Sequence, residues 1–302
     1  MRFDLQTLPS QHGRVAIVTG SNVGLGYETA LGLLKKGATV ILACRNAAKA
    51  EQAKKALLNE VPSADVEVIL IDLSCMDSVR AFAQTFLERY DRLDLLINNA
   101  GLLITEYVET EDGFELQWAT NYLGHFLLTG LLLPTLLKTA HSRVVSLSSL
   151  AHQQGKIKFD DLNRKKKFSG FPAYAQSKLA CLMYGYELQR RLEAHGHQQT
   201  ISTIAHPGVS VTSVGRNLSK FMQVITAIVE PIFTHKPDKA ALPTLWAALS
   251  PADGGEYFGP TGWGQIKGAP GKVGSTRMSK DKAIAKRLWE VSEELTGHTY
   301  SF

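Results

Sequence analysis

The chain has 302 residues with 33 Lys+Arg against 28 Asp+Glu, so a formal charge of +5, 20% charged and 44% hydrophobic residues. This composition excludes disorder and collagen-like repetition, and the mixing of both charge signs along the chain argues against a nucleic-acid partner. Residues 1–12 lack the apolar run of a signal peptide, and Cys44, Cys75 and Cys181 are widely spaced and odd in number, signalling neither disulfides nor a metal knuckle. A cytoplasmic location is therefore expected.

In chain order, strands are expected at Val15 to Thr19, Thr39 to Cys44, Val66 to Ile71, Leu93 to Asn98, Arg143 to Leu147 and Thr200 to Ala205. Helical patterns separate them: one ends at Gly37, one runs over Ala47 to Asn59, and Val79, Phe82, Ala83 and Phe86 show helical spacing in a third. Phe126 to Leu137 is too short to cross a bilayer and reads as a buried helix, and Pro172 to Glu193 reads as another. Strands that are apolar at nearly every position, alternating with helices, predict an α/β fold: a doubly wound (Rossmann) parallel sheet covered on both faces. No linker interrupts the series, so residues 1–302 are read as a single dinucleotide-binding and catalytic domain.

Two stretches break the alternation. The long loop at 152–172 carries the basic run Arg164 to Lys167, read as a solvated face, with contacts to an acidic partner or lipid as the alternative. The stretch 209–233 carries Leu218, Phe221, Met222, Ile225 and Ile228 in an amphipathic pattern. It is read as core or a subunit contact in a homo-oligomer, or as a substrate lid, with a membrane surface as a third reading.

Gly20, Ser21, Asn22, Gly24, Leu25 and Gly26 follow the first strand and open the first helix, where glycines let backbone approach a pyrophosphate at a helix N-terminus. Arg45 ends the second strand where an NAD-binding fold places a carboxylate for the ribose, so NADP(H) is preferred over NAD(H). Asp72 and Leu73 end the third strand and suit the adenine rim, while Asn98, Asn99, Ala100 and Gly101 end the fourth. Tyr174 and Lys178 stand four apart on one helix, and an ammonium a few ångströms from a phenol favours the phenolate, giving an acid/base pair. Ser146, Ser148 and Ser149 end the fifth strand, and Ser149 is chosen to hold a substrate oxygen. Asn121, amid apolar neighbours, must be hydrogen-bonded, to a water or in a relay to Lys178. His195 and His197 read as solvated, His206 as structural, and His152 as either solvated or at the substrate mouth. No metal site is expected.

TGSNVGLG, NNAG, Asn121, Ser149 and Tyr174-Ala175-Gln176-Ser177-Lys178, in this order, resemble the short-chain dehydrogenase/reductase family over about residues 13 to 295. LACRN, FELQWATNYLGHFLLT, VVSLSSLAH and HPG further resemble its retinol dehydrogenase-like and WW-domain oxidoreductase-like branch, whose members generally use NADP(H). The resemblance implies an oxidoreductase moving a hydride between NADP(H) and a carbonyl or alcohol carbon of a fairly apolar small molecule. It makes Tyr174 the acid/base, Lys178 its cation and ribose ligand, Ser149 the substrate anchor and Asn121 the holder of a water. It adds Pro207, Gly208 and Thr212 as nicotinamide contacts, although VSVTSVGRN after Gly208 departs from the branch's usual VVRT. Ser149 and Tyr174 also lie further apart than is usual in the wider family, a spacing familiar in this branch, and the N-terminal anchor helix of microsomal relatives is not expected here. The alternatives are reduction of a carbon–carbon double bond, as relatives of the branch perform on a pyrrole, and a non-catalytic NADP(H)-binding redox sensor.

Overall fold

The computed structural model describes residues 8–208 and 237–302. Strands β1 (Val15–Thr19), β2 (Thr39–Cys44), β3 (Val66–Leu70), β4 (Leu95–Asn98), β5 (Arg143–Leu147), β6 (Ile201–Ala205), β7 (Tyr257–Pro260) and β8 (Pro270–Lys272) form one sheet in the order β3-β2-β1-β4-β5-β6-β7-β8. The six expected strands lie where their apolar runs place them, to within two residues at the ends. The β7 and β8 strands were not foreseen, because Tyr257–Pro260 and Pro270–Lys272 are short and rich in Gly and Pro. The sheet is parallel, as expected, from β3 through β7, and β8 adds an antiparallel edge beside β7. There Pro270 costs no ladder bond with a further strand.

Alternate side chains of each central strand enter opposite cores. Ile17 and Ile41 join Phe82, Phe86, Phe126 and Trp289 on one face, while Ala16, Val18, Val40 and Leu42 join Leu33, Leu57, Leu245 and Phe258 on the other. This is why the strands read as unbroken apolar runs. The first face is covered by α3 (Met76–Arg89), α5 (Gly124–Lys138) and α6 (Gly170–Ala194), and the second by α1 (Gly24–Lys35) and α2 (Ala47–Glu60). Between α3 and α5 lie the single turn α4 (Leu116–Trp118) and a π-turn at Ala119–Leu123. The second face is completed by α8 (Leu242–Leu249), which follows the short α7 (Pro237–Ala240). Asn46 caps α2 by accepting from Lys49 N at 2.9 Å, matching the expected start.

The last helix, α9 (Lys282–Thr296), starts at Asp281, whose carboxylate accepts from Ala283 N and Ile284 N, and ends at Gly297 in the left-handed conformation. Beyond it Tyr300 is buried, its hydroxyl donating to the Phe126 carbonyl of α5 at 2.5 Å and lying 3.0 Å from the Tyr184 hydroxyl of α6. The carboxyl-terminal residues thus lock the two helices that carry Asn121's neighbours and Tyr174. Among the described residues, no helix is long and apolar enough to cross a membrane.

Candidate active site

The carboxyl ends of the strands open into a cleft of about 760 Å³ at the point where β1 leads to β2 on one side and β4 pairs on the other. Its walls come from the turns after β1, β2, β3, β4, β5 and β6, so residues distant in sequence meet there.

The turn after β1 is shaped by glycine. Gly20 and Gly24 have positive φ (65° and 58°), and a Cβ on Gly26 would overlap the Gly20 carbonyl and the Asn99 amide. Gly20, Asn22, Gly24, Leu25 and Gly26 line the cleft. Ser21 does not: it is buried, its hydroxyl donating to Val18 O at 2.8 Å and lying 3.4 Å from Cys44 Sγ, so it braces the turn from behind. Arg45, Asp72 and Leu73 line the far end, with the exposed Arg45 guanidinium 3.7 Å from the Asp72 carboxylate, which also accepts from Ser74 N and Oγ.

After β4 the expected assignment shifts by one residue. Asn98 is buried and its amide donates to Thr129 Oγ1 at 2.9 Å, whereas Asn99, Ala100 and Gly101 line the cleft. Strand alternation explains the correction, because adjacent side chains point to opposite faces. Asn99 donates to Thr19 O at 2.7 Å, its Oδ1 having no protein partner.

The three expected chemical groups converge. Ser149, Tyr174 and Lys178 all line the cleft. Ser149 Oγ accepts from Ala151 N at 3.2 Å, capping the 3-10 turn Leu150–Gln154, and its proton remains available to a ligand. Lys178, 5% exposed, donates to Leu147 O at 3.1 Å, and its Nζ lies 5.9 Å from the centre of the Tyr174 ring. Both stand on α6, which begins two residues before and ends one after the expected span. Asn121 lies beside the cleft wall with its side chain hydrogen-bonded, accepting from Leu102 N (2.8 Å) and donating to Leu102 O and Ser177 Oγ (both 3.0 Å). It sits in the π-turn Ala119–Leu123, a wider coil than an α-helix. Pro207 and Gly208 line the cleft after β6, while Thr212 and the stretch 209–233 lie outside the described residues.

Leu102, Leu103, Leu150, Gln153, Gln154 and Phe171 form the wall around Ser149 and Tyr174 and were missed in the sequence. Their closeness to Gly101, Ser149 and Tyr174 in the chain was the available signal. Apart from Lys178, no charged side chain among the described residues lines this end.

The histidines fall differently from expectation in one case. His152 is neither solvated nor in the cleft wall: it is buried beneath Ser149, its Nδ1 2.6 Å from the Ser149 carbonyl and its ring edge-on to Tyr257. His206 is structural as read, with Gly208 N donating to Nδ1 (3.2 Å) and Nε2 donating to Gln265 Oε1 (3.1 Å). His195 is exposed and His197 half-exposed. The basic run divides: Arg164 is half-buried and donates to Pro172 O at 3.1 Å, while Lys165 pairs with Glu109 at 2.8 Å in the open.

Burial pushes the imidazoles of His125 and His206 down to about 4, well below the usual histidine range. A histidine held neutral contributes stability that is complete above its unfolded pKa and is lost as pH falls toward its folded pKa. The conformational stability is therefore expected to drop between pH 6.5 and 4, by roughly 3 kcal/mol per histidine at the acid limit. The buried Glu115, whose pKa is raised by desolvation, works in the opposite sense and offsets part of the loss. Urea midpoints measured from pH 7 to pH 4.5 check this, and a flat series contradicts it.

With the geometry in view, comparison with known proteins identifies the chain. The model of the short chain dehydrogenase family matches residues 14–223. The chain belongs to that family. Human retinol dehydrogenase 13 is 41% identical over 293 residues, covering 94% of this chain and 85% of the relative, and human retinol dehydrogenase 14 is 38% identical, covering 95% and 87%. The chain is thus a retinol dehydrogenase-like member of the family and an oxidoreductase. Among solved structures, an uncharacterised protein from Mycobacterium paratuberculosis superposes with a TM-score of 0.84 at 38% identity over 100% of both chains. Pseudomonas aeruginosa RhlG in an NADP active-site complex gives 0.66 at 27% identity over 82% of this chain and 94% of the other.

Proposed function

We propose that this short chain dehydrogenase family member transfers a hydride between NADP(H) and the carbonyl or alcohol carbon of an uncharged, apolar small molecule. The observation that carries the reading is the meeting of Ser149, Tyr174 and Lys178 in one cleft with the glycine turn. The cleft suits a dinucleotide: glycines leave the backbone of Gly20 to Gly26 bare, Asn99 Oδ1 has no protein partner, and Arg45 offers a fork-shaped cation at the ribose end. Gly20, Asn22, Gly24, Leu25 and Gly26 would hold the pyrophosphate, Arg45, Asp72 and Leu73 the adenosine, and Ala100, Gly101, Lys178, Pro207 and Gly208 the nicotinamide half. Bound there, the coenzyme supplies or accepts the hydride.

The protein's own groups manage the proton. Ser149 donates a hydrogen bond to the substrate oxygen, for which its hydroxyl proton is available, and Tyr174 gives its phenolic proton to that oxygen on reduction or removes it on oxidation. Lys178 stabilises the phenolate left on Tyr174. Asn121 contributes by holding Leu102 against Ser177, which keeps the wall and the lysine's helix in register. Leu102, Leu103, Leu150 and Phe171 favour an apolar substrate body, and the family relatives carry retinol in their names, so retinal belongs in the panel of aldehydes, ketones, quinones and steroids that tests the reading. Oxidation of NADPH dependent on one of these carbonyls, with an alcohol as product, supports it; coenzyme binding with no turnover on any carbonyl refutes it.

Coenzyme choice rests on Arg45. Arg45→Ala is expected to raise the Michaelis constant for NADPH about tenfold, the loss of one charge-assisted contact, while that for NADH changes little. An unchanged ratio removes the argument for a 2′-phosphate at this position.

A further inference from the structure

One titratable side chain beneath the cleft has no part in the chemistry above. His125, 4% exposed, lies in the first turn of α5, just beyond the π-turn that holds Asn121. Its Nδ1 is 3.0 Å from the Asn121 carbonyl and its Nε2 is 2.9 Å from Thr19 Oγ1. A carbonyl can only accept, so Nδ1 carries the ring proton and Nε2 presents a lone pair. The Thr19 hydroxyl therefore donates to Nε2, a shorter contact than its other acceptor, Ile97 O at 3.3 Å. With its proton so committed, Thr19 Oγ1 accepts from both Asn99 N and Ala100 N at 2.9 Å.

These bonds form one chain across three segments. At one end the Asn121 carbonyl, which also receives the Cys181 thiol at 3.1 Å, belongs to the turn whose side chain holds Leu102 and Ser177, next to Lys178. At the other end Asn99 and Ala100 form the floor of the coenzyme crevice. A phenylalanine would fill the same apolar space, so packing alone does not account for an imidazole with both nitrogens engaged.

We infer that His125 is a positioning residue whose two ring nitrogens tie the Asn121 turn to the Thr19, Asn99 and Ala100 floor, coupling the seat of the catalytic lysine to coenzyme binding. The part concerning turnover rests on the proposed function; the part concerning coenzyme binding does not.

The two arms separate by substitution. In His125→Asn the amide nitrogen takes the place of Nδ1 and keeps the bond to Asn121 but loses Thr19. In His125→Gln the longer amide reaches Thr19 and leaves Asn121 without its donor. NADPH dissociation constants by fluorescence titration, kcat on the active carbonyl and melting midpoints are measured on the full chain. The Asn variant is expected to bind NADPH about fivefold to tenfold more weakly with kcat within about threefold of the parent, and the Gln variant to show the reverse split, each being the loss of one hydrogen bond. In a Thr19→Val background, His125→Asn is expected to add less than about twofold to the dissociation constant, because the partner of the lost arm is already gone. Parent-like binding and turnover in both variants overturns the inference, as does a parallel loss of both that only follows the melting midpoint. A parent that turns over no carbonyl refutes the proposed function alone, and the split in NADPH binding with its Thr19→Val control then decides on His125.

Discussion

Tyr174→Phe is expected to lower kcat by about 10²-fold to 10⁴-fold, the usual contribution of a positioned general acid, while NADPH binding stays within about twofold. The substitution keeps the ring and removes only the hydroxyl. The main-chain carbonyl of Tyr174, which accepts from Ser177 Oγ at 2.8 Å, is retained, so the α6 turn that presents Lys178 is not disturbed. Lys178 keeps its bond to Leu147 O and its place in the cleft wall. The predicted outcome is thus a defect confined to the chemical step, seen in steady-state turnover and in the amplitude of a single-turnover burst. Turnover within a few-fold of the parent would mean that the proton comes from another group, and the mechanism proposed for this cleft would be wrong.

Trp289→Ala is expected to cost about 3–5 kcal/mol of conformational stability, the range for emptying a buried tryptophan site. The indole is 1% exposed and meets the aromatic cluster on three sides: stacked on Tyr184 at 5.6 Å, edge-on to Phe126 at 5.2 Å and to Tyr300 at 4.5 Å. The Arg191 guanidinium lies 4.4 Å from the ring centre, adding a cation–π contact from the same helix that carries Tyr184. Because these partners belong to α5, α6 and the tail after α9, no single neighbour can move in to fill the space. Guanidinium unfolding followed by far-UV circular dichroism measures the loss, and a change below about 1 kcal/mol would show that the cluster relaxes far more readily than its packing implies. Activity per folded molecule is expected to fall less than stability, since Trp289 does not line the cleft.

Much of this architecture was legible in the residues. Unbroken apolar strands such as Ala16-Ile17-Val18 could only be buried on both faces, and the spacing of Tyr174 and Lys178 placed both on one side of α6. What escaped were orientations decided by partners far away in the chain. Asn98 and Asn99 are the same residue type, and only the register of β4 against β5 tells which amide faces the cleft. Ser21 looked like every other member of its glycine turn until Val18 and Cys44 were placed beneath it. His152 reads as a loop histidine because the ring that covers it, Tyr257, is about a hundred residues later on a strand too short and too rich in glycine and proline to announce itself. The assignments of Thr212 and of a lid at 209–233 fall outside the described residues.

The bond between Tyr300 and Phe126 spans 174 residues of sequence. During synthesis, α5 and α6 leave the ribosome before Trp289 and Tyr300, the side chains that complete the cover of Phe126 and Tyr184. At one residue every 50–200 milliseconds, or about 5–20 per second, the nascent chain passes several seconds with Phe126 and Tyr184 uncovered. The order of translation therefore leaves this aromatic face to be closed late, when α9 and Tyr300 dock on Phe126 and Tyr184.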